Sequence, residues 1–138
     1  MIINVDCDGV LVPNTHEESL FERIERENFS FDNSSVIWDW YSELINTQPL
    51  PLNLPLLSLL QKKKDEGDVI RLWTNRGYTL KSATLDNLGE WTSLFDSFMF
   101  FSGLKHLSRV EGICVDNHKR YLSCGEMGGI QYKYGGEV

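Results

Sequence analysis

The sequence predicts an α/β fold, a parallel sheet covered by helices on both faces. Three observations predict it. Short β-prone runs recur at 2–5, 69–73, 97–101 and 112–117, stretches of helical apolar spacing lie between them, and each run stops at polar residues. Strands alternating with helices form parallel pairs, because a parallel connection needs a long crossover. The chain has 138 residues, the size of one domain, and we read 1–138 as a single unit. Its 41% hydrophobic and 24% charged content excludes disordered, collagen-like and coiled-coil chains.

Taken in order, "IINV" is a buried strand ended by the acidic, glycine-containing segment Asp6 to Gly9. From Pro13 the composition turns charged and aromatic. "HEESLFERIEREN" has helical periodicity through Leu20, Phe21 and Ile24, "SSVIWDWYSELI" predicts a second helix, and 13–50 together read as a small helical insertion. "PLPLNLPLLSLLQKKKDEGD" breaks structure with prolines, then forms a leucine-rich helix from about Leu54 to Glu66 that stops at Gly67. "VIRLWTNRG" is the next strand and turn, and "YTLKSATLDNLGEW" again has helical spacing. "SFMFF" and "GICVDN" complete the strands, and "GEMGGIQYKYGGEV" reads as a glycine-rich tail.

The net charge of −7, from 20 acidic and 13 basic side chains, disfavours a protein that relies on broad neutralisation of a nucleic-acid backbone. A negative protein acting on a negative substrate needs a local device, such as a metal ion or a cradle of amides. Cys7, Cys114 and Cys124 form no CxxC pair and are poor material for a disulfide framework. With no leader-like start and no apolar run approaching roughly 20 residues, the expectation is a cytoplasmic protein without a membrane partner.

Ligands of open parallel sheets bind beyond the carboxyl ends of the strands. Those ends carry Asp6 and Asp8, then Thr74, Asn75 and Arg76, then Ser102 and Lys105, then Asp116 and Asn117. Carboxylates one residue apart in extended chain project to one side, so Asp6 and Asp8 can share a site. A hard cation such as Mg²⁺ would reverse their repulsion of phosphate, with Asp116 as a further oxygen donor. One carboxylate can then attack phosphorus while the other moves protons. Thr74 and the amides after it suit phosphoryl oxygens, and Lys105 can balance charge.

The motifs "DCDGVL", "LWTNRG", Lys105 and "ICVDN", in that order, resemble those of the haloacid dehalogenase-like hydrolase superfamily, in its phosphatase branch. The resemblance spans Asp6 to Asn117. It implies a doubly wound Rossmann-like sheet with a small cap after the first strand. It further implies Asp6 as nucleophile, Asp8 as general acid/base, Thr74 as phosphate-binding hydroxyl, Lys105 as charge-balancing lysine, and a Mg²⁺ site at Asp6, Asp116 and the Asp8 carbonyl. Two departures stand out: Val115 precedes Asp116 where many relatives have a second acid, and the interval from Lys105 to Asp116 is too short for the usual helix. Lys81 is a competing position for the lysine.

The expected activity is Mg²⁺-dependent hydrolysis of a small phosphomonoester, such as a nucleotide. The alternatives are a phospho-ligand binding protein without catalysis, and a phosphatase acting on the end of a nucleic acid. The CxxxxxR spacing from Cys114 to Arg120 matches cysteine phosphatases only formally, since Asp116 inside it disfavours a thiolate. His16, His106 and His118 lack metal-ligand spacing and are expected at the surface or in loops. Trp38, Trp40 and Tyr41 are expected to pack, with stacking on a planar substrate group as the rival role.

Overall fold

The computed structural model describes residues 1–137. Its sheet contains β1 (Ile2–Val5), β2 (Val69–Thr74), β3 (Ser97–Phe100), β4 (Ile113–Asp116), β5 (Gly129–Lys133) and β6 (Gly136–Glu137), in the order β3-β2-β1-β4-β5-β6. The first five strands run parallel, and β6 turns back antiparallel to β5. Val5 lies level with Leu72 on one side and Val115 on the other, so the three central strands end together. The strand order reverses between β1 and β4, the position at which open α/β sheets bind ligands.

Four α-helices accompany the sheet: α1 (Thr15–Glu27), α2 (Ser34–Thr47), α3 (Leu54–Asp65) and α4 (Lys81–Leu88). The side chain of Asn53 caps α3 by accepting the Leu56 N–H, and a proline occupies its first turn. Leu56, Leu57 and Leu60 pack on Ile3, Val5, Ile70, Leu72 and Val115, the alternate residues that point to one face of the sheet. Helices α1 and α2 make a separate cluster with the start of α4, through Leu20, Ile37, Tyr41, Ile45, Leu80 and Ala83.

The opposite face departs from the expectation of helices. Trp73 and Cys114 are covered there by Tyr121 and Cys124 from a 3-10 segment, Lys119–Cys124. The crossover from β3 to β4 contains only the 3-10 turn Lys105–Leu107, because so few residues separate Lys105 from β4. The glycine-rich stretch expected to be a tail instead supplies the edge strands β5 and β6. Gly129 is what hid β5: an added Cβ would lie 2.6 Å from the Cys114 carbonyl oxygen, so close pairing demands a residue with no β propensity. His16 also departs from its expected surface position. It is buried on α1, where Nε2 donates to the Gln48 carbonyl at the end of α2 (2.6 Å). Among the described residues, no helix is long and apolar enough to cross a membrane.

The two faces of α3 predict contrasting substitutions. Leu57 is fully buried and Leu59 is 51% exposed. Leu57→Ala should cost about 2–5 kcal/mol in chemical denaturation, whereas Leu59→Ala should stay within about 0.5 kcal/mol.

Candidate active site

The backbone after β1 closes at once into a turn in which the N–H groups of Val10, Leu11 and Val12 all donate to the Cys7 carbonyl (2.9–3.2 Å). Gly9 sits there at φ +85°, and an added Cβ would lie 2.2 Å from the Asn117 amide. Only glycine combines this conformation with that space. The turn buries Asp6 and Asp8 beside the ends of β2 and β4.

Lys105 reaches this point from the loop after β3. Its Nζ, almost wholly buried, donates to Asp6 Oδ1 at 2.9 Å and to Asp116 Oδ2 at 2.5 Å. The ammonium also lies 3.8 Å from the centre of the Trp73 ring and 4.9 Å from that of Tyr121. Burial works against the Lys105 charge, but the two carboxylates outweigh it and raise its pKa above the usual lysine value. Burial likewise pushes the Asp6 carboxyl up, with Lys105 as the main opposing influence. Lys81, the competing lysine, lies elsewhere, with its Nζ 5.5 Å from the Tyr78 ring.

Asp8 belongs to a second pair. Arg76 donates to both of its carboxylate oxygens, at 2.8 and 2.9 Å, and to Thr84 Oγ1 at 2.8 Å. The expectation for Arg76 is a place at the substrate; its guanidinium is buried and paired with Asp8, and the residue also lines the pocket over the site. Thr74 Oγ1 accepts the Arg76 N–H at 3.1 Å. Asn75 braces the site: its Nδ2 donates to the Tyr121 hydroxyl (2.9 Å), and its Oδ1 accepts the Lys105 N–H (2.8 Å).

The charges do not balance where Lys105 binds. Two carboxyls share one ammonium, and Asp8 has its own cation, so with both acids ionised the Asp6 and Asp116 pair carries an excess negative charge. The Asn117 amide meets three acceptors there: Asp6 Oδ2 (3.0 Å), the Asp8 carbonyl oxygen (3.2 Å) and Asp116 Oδ1 (3.1 Å). Its NH₂ has two hydrogens for these three. With the amide oxygen turned inward instead, four oxygens converge, the donor set a hard divalent cation takes. Among the described residues no three His, Cys, Asp or Glu side chains form a metal cluster. The set here depends on a backbone carbonyl and an amide, and the Asp8 carboxylate lies outside it.

Above these groups is a pocket of about 280 Å³, with Asp6, Asp8 and Lys105 at its floor. Its outer wall comes from α1, α2 and the segment between them, including Glu17, Phe29, Trp38 and Tyr41. Sequence reasoning offers no role for Glu17 and expects His118 at the surface or in a loop; His118 does lie in the loop after β4, where its ring is 3.6 Å from Glu17 and borders the same pocket. The Glu17 carboxylate beside it raises the His118 pKa. Charge spacing on one helix carries no information about a partner a hundred residues away.

Removing the Lys105 charge leaves buried carboxylates uncompensated. Lys105→Met should cost about 3–5 kcal/mol of stability, while Lys81→Met should cost less than about 0.5 kcal/mol, both read by denaturant titration. Gly9→Ala should lose about 1–3 kcal/mol through strained backbone and displacement of Asn117.

No protein-family model matches the chain, and no curated protein does. Solved structures do. A crystal structure described as a predicted phosphatase from Clostridium acetobutylicum superposes with a TM-score of 0.68 at 14% identity, over 97% of this chain and 85% of the other. A haloacid dehalogenase-like family hydrolase from Streptococcus pneumoniae gives 0.59 at 14% identity, over 97% and 86%. The chain therefore shares over nearly its whole length the fold of a haloacid dehalogenase-like protein.

Proposed function

We propose that this chain is a phosphohydrolase of the haloacid dehalogenase-like superfamily, cleaving phosphomonoesters through a phosphoryl-aspartate at Asp6. The observation that carries this reading is the setting of Asp6, a buried carboxylate facing the pocket with a lysine at its back and a second acid two residues on. The descriptions of the two similar structures, a predicted phosphatase and a hydrolase, support it.

In this reading an Asp6 oxygen attacks phosphorus as the bond to the ester oxygen breaks, and protonated Asp8 gives its proton to the departing alkoxide. Asp8, now a carboxylate, takes a proton from water as that water attacks the same phosphorus, which frees Asp6 and releases phosphate. Arg76 fixes the Asp8 rotamer for both transfers, so the bidentate pair must loosen when Asp8 carries the proton. Thr74 uses its Oγ1 to accept the Arg76 N–H and keeps its hydroxyl proton to donate to a phosphoryl oxygen. Lys105 holds one Asp6 oxygen and tempers the charge of the transferring group. Mg²⁺ fits the oxygens of Asp6, Asp8 (carbonyl), Asp116 and Asn117, and when bound it supplies charge neutralisation for a dianionic phosphate. Helices α1 and α2 act as a cap, closing the pocket from outside.

Asp6→Asn should lower turnover of an aryl phosphate at least about 10³-fold with an unchanged circular dichroism spectrum, and Asp8→Asn should lower it about 10²–10⁴-fold. A chelator should abolish wild-type turnover and added Mg²⁺ restore it. If phosphate and Mg²⁺ bind but no phosphomonoester in a broad panel is hydrolysed, the chain is a binding protein.

A further inference from the structure

The pocket's outer wall carries groups that phosphoryl transfer leaves unused. Asp6 and Asp116 have Lys105, and Asp8 has Arg76, each within 3 Å. Glu17 has neither a lysine nor an arginine among the described residues. Its side chain is 16% exposed, and its nearest basic neighbour is the His118 ring at 3.6 Å. Arg120 also borders the pocket, but its guanidinium lies 4.8 Å from the Tyr121 ring centre and makes no ion pair with Glu17.

Tyr41 is the second unused group. It is 1% exposed, yet its hydroxyl has no hydrogen-bond partner. A buried hydroxyl left unpaired is costly, and Tyr41 is among the residues that line the pocket, so a ligand atom is the partner this hydroxyl lacks. The ring of Tyr41 also forms part of an aromatic corner. Phe29 and Trp38 meet at 82° and Trp38 and Tyr41 at 61°, all three bordering the pocket. A planar base would need a slot between parallel rings. Rings set across one another beside a carboxylate instead suit a compact cation. The volume of about 280 Å³ lies below the range of about 300–1,000 Å³ typical of sites for drug-sized ligands, so the group is small.

We propose that the substrate's leaving group bears a primary ammonium, held by the Glu17 carboxylate, the Tyr41 hydroxyl and the aromatic corner of Phe29, Trp38 and Tyr41. Naming this substrate class rests on the phosphohydrolase reading. Glu17 and Tyr41 are then specificity-determining residues. The ammonium donates to Glu17 and to Tyr41 Oη, which adds a permanent cation to the His118 ring beside Glu17 and supplies the missing hydrogen-bond partner of Tyr41. A neutral isostere leaves the Tyr41 hydroxyl unpaired and Glu17 with the His118 ring alone, and is discriminated against.

The test compares kcat/KM for 2-aminoethyl phosphate, 2-hydroxyethyl phosphate, propyl phosphate and adenosine 5′-monophosphate, with p-nitrophenyl phosphate as a generic substrate. The wild type should prefer 2-aminoethyl over propyl phosphate by at least about tenfold. Glu17→Gln should reduce that ratio at least tenfold, and Tyr41→Phe should reduce it independently. Calorimetric binding of the same series to Asp6→Asn provides a readout without turnover. Equal use of the ammonium and propyl esters, a ratio indifferent to both substitutions, or a preference for the nucleotide overturns the proposal. Turnover of p-nitrophenyl phosphate without ammonium selectivity sinks this proposal and spares the phosphohydrolase reading. Selective binding of the ammonium ester with no hydrolysis of any ester does the reverse.

Discussion

One buried ammonium holds the ends of the sheet together. Lys105 Nζ joins the turn after β1 to the end of β4, segments brought side by side by parallel pairing but carrying carboxylates that would otherwise repel across a few ångströms. Taking a charge this far from water is expensive, and the cost is met only because two carboxylates and the faces of Trp73 and Tyr121 replace its hydration. The loop that delivers the lysine is correspondingly short and braced. Asn75 accepts its backbone N–H, and the carbonyl of Lys105 itself accepts from Ser108 Oγ at 2.6 Å. A longer helical crossover is unnecessary when one residue at its start has so little freedom.

That arrangement explains why the remaining charge is where it is. A single cation between two acids leaves a negative remainder, and Gly9 lets Asn117 approach the oxygens on which that remainder sits. The amide is neutral, so it can meet Asp6, Asp116 and the Asp8 carbonyl as donor in one orientation and as oxygen in the other. A second aspartate at this position would add a further buried charge to the same cluster, which the neutral asparagine avoids.

Much of this is legible in the sequence, for a geometric reason. Parallel strands with aligned register bring their carboxyl ends to one edge, so Asp6, Asp8, Thr74 and Asp116 emerge from asking which polar residues terminate each apolar run. The sequence favours Lys105 over Lys81 by its place after a strand, and its actual reach depends on the 3-10 turn that replaces a helix in the crossover. A basic residue after a strand suggests an anion, which points Arg76 toward phosphate, and no sequence pattern shows that the nearest anion is Asp8. Strand β5 escapes detection because backbone approach at Gly129 outweighs propensity. Glu17 and His118 leave no sequence signal as site residues, and Tyr41 is marked only as one of three aromatic residues with stacking on a substrate as a rival role, since their placement depends on how α1 and α2 settle over the sheet.

That settling is itself physically distinct from the sheet's own packing. The cluster of Leu20, Ile37, Tyr41 and Ile45 closes against Leu80 and Ala83 and contributes nothing to the layer between α3 and the strands. His16 ties α1 to the end of α2 through the Gln48 carbonyl, so the two helices are fixed to one another as well as to α4. The groups at the pocket floor are held by β1, β2, β4 and the Lys105 loop, while those of its wall are held by this second cluster. The floor and the wall of the pocket are thus held by separate parts of the fold, which meet where the Arg76 guanidinium, paired with Asp8, lies 5.9 Å from the centre of the Tyr41 ring.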